Sequence, residues 1–120
     1  MATTYEANVF GRNQVKLAAG YQITTSLDLS ANRTLTQNDQ RLIRLDPSAA
    51  GFIVALPSGP APGDQYTFKE VGNSANAVII SGNGKLIEGA TTYTMNVARR
   101  CRVFRFSDVS NQWEIVGGVN

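Results

Sequence analysis

The chain has 120 residues, 42% hydrophobic and 17% charged, a balance that excludes wholesale disorder and fits one small globular domain. Eleven Lys and Arg against nine Asp and Glu leave a net charge of +2, too near neutral to attract nucleic acid. With no histidine and one cysteine, Cys101, a disulfide framework, a Ser-His-Asp or Cys-His site within one chain and a plausible structural zinc site are all excluded.

Residues 1–20 carry isolated apolar residues (Tyr5, Val9, Phe10, Val15, Leu17) without a sustained period. They read as an extended arm that needs a surface to lie on, followed by a folded domain over 21–120. The first six residues hold neither a basic stretch nor an apolar one, so no signal peptide is expected. No apolar run approaches the roughly 18 residues that span a bilayer, so neither a membrane nor a secretory route is expected.

From residue 21 the period-2 signal dominates. Tyr21, Ile23, Thr25, Leu27 and Leu29 alternate with Gln22, Thr24, Ser26 and Asp28, the pattern of a strand with one buried and one wet face. In Thr36-Gln37-Asn38-Asp39 a hydroxyl and an acid three residues later satisfy free amides, which predicts a single turn and no long helix. Strands are expected over 41–45 and over 51–56, the latter closed by Pro57. The segment 57–64 is a rigid Pro/Gly loop. A strand over 65–71, turned through Gly72-Asn73-Ser74-Ala75-Asn76, is expected to pair back with 77–80 as a hairpin. After the turn at 81–84 come short strands over 85–88 and 91–97, then a final hairpin of 101–107 with 112–117. No repeat of 20–50 residues is evident. Eight or more short strands with frequent turns predict a small all-β fold, a sandwich or barrel. A core this small gains from oligomerisation.

Chemistry is hard to find. Gly82-Asn83-Gly84-Lys85 lacks the full phosphate-loop spacing and its helix, and reads as a hairpin turn. Glu88 and Glu114 have nothing to bring them together around a sugar and read as surface carboxylates. Asp46, Asp64 and Asp108 sit in turns, where they bond local amides, and no calcium loop is present. Arg99, Arg100, Arg102 and Arg105 read as an exposed strand face, with an acidic partner surface as the sharper alternative. Cys101, among those arginines, reads as a partly buried strand cysteine. Asn32-Arg33-Thr34 matches a glycosylation sequon without a secretory context. Trp113 reads as core or subunit interface and not as a sugar platform. No cofactor and no metal are expected, nor is an enzyme of any class.

Two stretches carry a resemblance. The first comprises Arg33-Thr34-Leu35-Thr36 with Asp39, then Leu42–Leu45, then Gly51 through Leu56-Pro57, and Gly63 through Phe68. It resembles an R-T-L-T-x-x-D … G-x-x-x-x-L-P … G-x-x-x-x-F pattern of small head-decoration (cement) proteins of tailed bacteriophages. The second runs from Val71-Gly72 through Val78, Ile80, Gly82, Gly84, Ile87 and Gly89 to Tyr93-Thr94, Ser107-Asp108 and Trp113. It is similar to a pattern in phage decoration, head-fibre and tail-fibre modules, except that Asp108-Val109 stands where Asp-Gly is usual. The resemblance covers about residues 32–117 and brings no catalytic residues.

The resemblance implies a small antiparallel β-sandwich or jelly-roll-like domain, a structural protein of the virion assembled in the host cytoplasm, that binds the outer capsid surface where capsomers meet. Its partners would be the major capsid protein and itself, as a homotrimer. On that reading Tyr5, Phe10, Arg12 and Lys16 of the arm contact the capsid, and the strands around Phe104 and Trp113 support the subunit interface. A head- or tail-fibre component that binds a host receptor is the alternative, and a carbohydrate-binding module is a third reading with only one Trp to serve it.

Overall fold

A computed structural model describes residues 25–72 and 76–119. The expected arm, with Tyr5, Phe10, Arg12 and Lys16, lies outside the described residues. Ten strands are described: β1 (Leu27–Leu29), β2 (Arg33–Thr34), β3 (Leu42–Leu45), β4 (Phe52–Ala55), β5 (Gln65–Glu70), β6 (Val78–Ser81), β7 (Leu86–Ile87), β8 (Thr92–Met95), β9 (Cys101–Ser107) and β10 (Gln112–Val119). No helix occurs among the described residues, and the fold is all-β.

The strands lie in two sheets, ordered β1-β3-β5-β9-β10-β7 and β2-β4-β6-β8. From β1 to β6 the chain alternates between them strand by strand. Leu27, Ile43 and Phe68 stack through parallel pairs in the larger sheet, and Arg33, Val54 and Ile80 do so in the smaller. This is a short β-solenoid, each turn laying one strand in each sheet. β8 then runs antiparallel to β6, and the β9–β10 hairpin closes the larger sheet with β9 antiparallel to β5.

The antiparallel sandwich or jelly-roll expectation is therefore corrected: the sheets are mixed, and most of the winding is parallel. The hairpin expected between 65–71 and 77–80 is corrected with it. β5 pairs with β3 and β9, whereas β6 pairs with β4 and β8 in the other sheet. A polar turn with glycine reverses the chain equally well within a sheet or across the gap to the other one. The final hairpin is as expected, with a register irregularity between Ile115 and Gly117.

The core fills the space between the sheets. Ile43, Leu45, Tyr66, Phe68, Phe104 and Trp113 enter it from the larger sheet, and Val54, Leu56, Val78, Ile80 and Met95 from the smaller or its flanks. Alternation puts every second residue inside, as in β5, where Tyr66, Phe68 and Glu70 are buried. Aromatic edges lock the larger sheet's contribution: Phe68 meets Phe104 at 5.3 Å and Trp113 meets Phe106 at 5.5 Å between centroids, within the favourable range for tilted pairs.

Candidate functional site

The residues of the first resemblance turn out to be joined to one another. Arg33 pairs with Asp39, and the other oxygen of Asp39 accepts the Thr36 amide at 2.9 Å. The Thr36 hydroxyl accepts the Asn38 amide at 3.3 Å, so the expected turn forms, and no helix follows it. Leu35 between them is 1% exposed and sits in the core. The Thr36 carbonyl accepts the Tyr66 hydroxyl at 3.1 Å, and burial holds that phenol above its ordinary pKa, with Asp64 and Asp39 adding and Arg41 opposing. Gln37 donates to Asp64 at 2.8 Å. Asp64 also accepts the Ala61 amide within its own turn. The motif pins the turn where β2 hands over to β3.

The glycines of the second pattern serve backbone geometry. Asn83 and Gly84 have φ of 52° and 99°, and Glu88 and Gly89 have 46° and 88°. Both are tight turns of mirror-image kind, and the second joins the bridged antiparallel pair Ile87 and Ala90, the setting in which such turns match strand twist. Gly82 needs its missing side chain, because a Cβ there would overlap the Lys85 carbonyl. Gly82–Lys85 is thus a turn, but the expected hairpin is corrected: β6 and β7 on either side of it lie in different sheets. In the last turn Asn111 takes the positive φ, at 57°, and leaves Val109 94% exposed where glycine is usual in the resembling proteins.

The two carboxylates weighed for sugar chemistry serve separate local ends. Glu88 accepts the Ile115 amide at 2.9 Å, beside the register shift of β10, and Glu114 accepts the Ser110 hydroxyl. No group of three or more His, Cys, Asp or Glu gathers to hold a metal among the described residues. The arginine group is dispersed. Arg102 turns inward to the Tyr93 hydroxyl at 2.9 Å, Arg100 is half-buried, Arg99 sits exposed at φ 64°, and Arg105 is exposed on β9. The exposed strand face expected of them is not a single face. Cys101 is half-buried and free, and Asp46 accepts the Ser48 amide in its turn.

Phe104 and Trp113 are both 0% exposed. The assignment of their side chains to a subunit interface is corrected: alternation turns both into the chain's own core, where no second copy reaches them, and Trp113 forms no sugar platform. What a partner meets is the outside of the two sheets. The larger sheet presents Asp28, Arg44 and Lys69 in one cross-strand row and Gln65, Arg105 and Glu114 in another, with Arg44 paired to Asp28 at 3.1 Å. The smaller sheet presents Ile53, Ile79 and Thr94 in one row, and Thr34, Ala55, Ser81 and Thr92 in the next. Shallow grooves run along this second face beside Asn32 and Ile53. Asn32 shapes them: its side-chain oxygen accepts the Ile53 amide at 2.8 Å and so continues the two-residue strand β2. Of these outward residues, alternation in the sequence marks Asp28, Lys69, Thr92 and Thr94; which strands sit side by side is not legible in it.

Compared with known proteins, the chain matches no protein-family model and shows no significant similarity to any curated protein sequence.

Proposed function

We propose that this chain is a structural protein of a tailed-phage virion, a capsid decoration protein that docks on the outer surface of the head and braces contacts between capsomers. The observation that carries the reading is the spaced pattern over residues 32–117, whose Arg33, Leu35, Thr36 and Asp39 form one interlocked unit. Its motif residues bond to one another and to neighbouring backbone, an arrangement that suits a scaffold. The partners are the major capsid protein and further copies of the chain, as a homotrimer. The arm over residues 1–20, with Tyr5, Phe10, Arg12 and Lys16, supplies the capsid contact. Three arms acting together convert a weak single contact into a durable one.

The test uses heads from a phage encoding this chain, with its gene deleted. Full-length protein should co-sediment with the undecorated heads to saturation, and a variant lacking residues 2–17 should lose most of its occupancy. Equal occupancy by the shortened chain would remove the arm from the reading, and no binding of the full chain would remove the reading itself. A fibre component that binds a host receptor is favoured by one observation, the parallel winding of β1–β6, which is extensible along its axis. Binding of the isolated chain to host cells but not to heads would select that alternative.

A further inference from the structure

The smaller sheet ends at β2, the two exposed residues Arg33–Thr34. The Leu35 amide donates to the Ala55 carbonyl, so the backbone groups of Leu35 face β4. Successive residues of a strand send these groups to opposite sides, which turns the amide and carbonyl of Thr34 away from β4, toward the open edge. Among the described residues no strand pairs with that edge. An unpaired edge is a template for another strand, and a stack of coils needs a cap at its end. The other end of the winding has one, where β8 and β9 run antiparallel to β6 and β5.

We propose that Val15-Lys16-Leu17-Ala18-Ala19 lies parallel to β2 as a fifth strand of the smaller sheet, supplied by the same chain. β1 stacks in parallel on β3, so the chain that enters β1 comes from beside the segment that enters β3, and that segment begins at β2. The spacing agrees. Seven residues separate β2 from β3, and nine separate β4 from β5. Counted back from Leu27, connections of those lengths end a smaller-sheet strand between residues 17 and 19. There Val15, Leu17 and Ala19 alternate with Lys16 and Ala18, and Gly20 follows, the pattern of a short strand closed by a turn residue. A lysine in an edge strand also discourages further strands from adding beyond it. A second copy would reach the same edge only at the cost of association, whereas the chain's own segment is tethered beside it at high effective concentration. The inference goes beyond the decoration reading and does not depend on it. It anchors the arm at Lys16 and leaves Tyr5, Phe10 and Arg12 beyond the anchor to reach a capsid.

NMR of the full-length protein tests this. Nuclear Overhauser contacts are expected between backbone protons of Thr34 and those of residues 15–19. The Thr34 amide should exchange with solvent at least about a hundredfold more slowly than an unstructured amide. In a mixture of isotope-labelled and unlabelled chains, those contacts should stay within one chain. Adjacent amides of a strand face opposite sides, so one of Leu17→Pro and Ala18→Pro removes a donor from the pairing. That variant should speed Thr34 exchange at least about tenfold and leave the Phe68 amide in the larger sheet unchanged. Absence of the contacts, or a Thr34 amide that exchanges like an unstructured one, overturns the inference. Contacts between labelled and unlabelled chains overturn it in favour of a second copy, and a Thr34 rate unmoved by both variants overturns it as well. The wild-type readouts decide even where a proline variant fails to fold. Head binding by a chain that lacks the contacts would remove this inference and leave the decoration reading intact. A chain that shows the contacts and ignores heads would do the reverse.

Discussion

At the residue scale, Glu70 is the side chain most at odds with its surroundings. It occupies an inward position at the end of β5, opposite Leu45, and is 0% exposed. Neither of its carboxylate oxygens has a hydrogen-bond partner, nor does the buried Nε of Arg100. Burial pushes the Glu70 pKa up, against a smaller opposing pull from Arg100. A carboxyl whose pKa is higher in the folded chain than in the unfolded one favours folding most below its unfolded value. That contribution disappears as pH rises through the folded value. Glu70→Gln imitates the protonated acid and should stabilise the chain near pH 7 by about 1 kcal/mol. The advantage should vanish near pH 4. Thermal unfolding of both proteins across that interval checks the sign, and an advantage that grows as pH falls would contradict it.

At the element scale, the turns decide which strand meets which. Asn83-Gly84 and Glu88-Gly89 place β7 beside β10 in one sheet and β8 beside β6 in the other within a few residues. Gly82 opens the first of these turns with the Lys85 carbonyl packed where a Cβ would sit. Gly82→Ala must force that turn apart and should cost at least about 2 kcal/mol. Gly84→Ala, at φ 99° but with nothing near its Cβ position, should cost about 1 kcal/mol from backbone strain alone. Urea unfolding of the pair separates the steric effect from the conformational one, and equal losses would show that crowding at Gly82 is relieved locally.

At the scale of the whole molecule, the core residues of the two sheets form one cluster, from Leu35 and Ile43 in the early turns to Trp113 in the last strand. Neither sheet keeps a dry face without the other. The described strands should therefore unfold together, with Trp113 fluorescence and far-UV circular dichroism giving one coincident transition in urea. Separate midpoints would mean that the β9–β10 hairpin and the parallel winding are independent units.

Local patterning was read correctly where the physics is local. Alternation and turn residues set the strands over 41–45, 51–56, 65–71, 101–107 and 112–117, because pleating repeats every two residues whatever the strand pairs with. Turn chemistry at Thr36–Asp39 and Gly82–Lys85 was equally legible, since it needs only neighbours in the chain. The absence of histidine bounded the chemistry before any fold was known. Pairing was decided elsewhere. A chain leaving β5 meets the same polar turn whether it folds back in its own sheet or crosses to the other. The crossing prevails because it joins both sheets around one core. The stacked turns differ in length, so they leave no repeat in the sequence. Trp113 and Phe104 were recognisable as aromatic anchors, but only the stacking of two sheets over them put them inside, and left the uncharged row of Ile53, Ile79 and Thr94 outside.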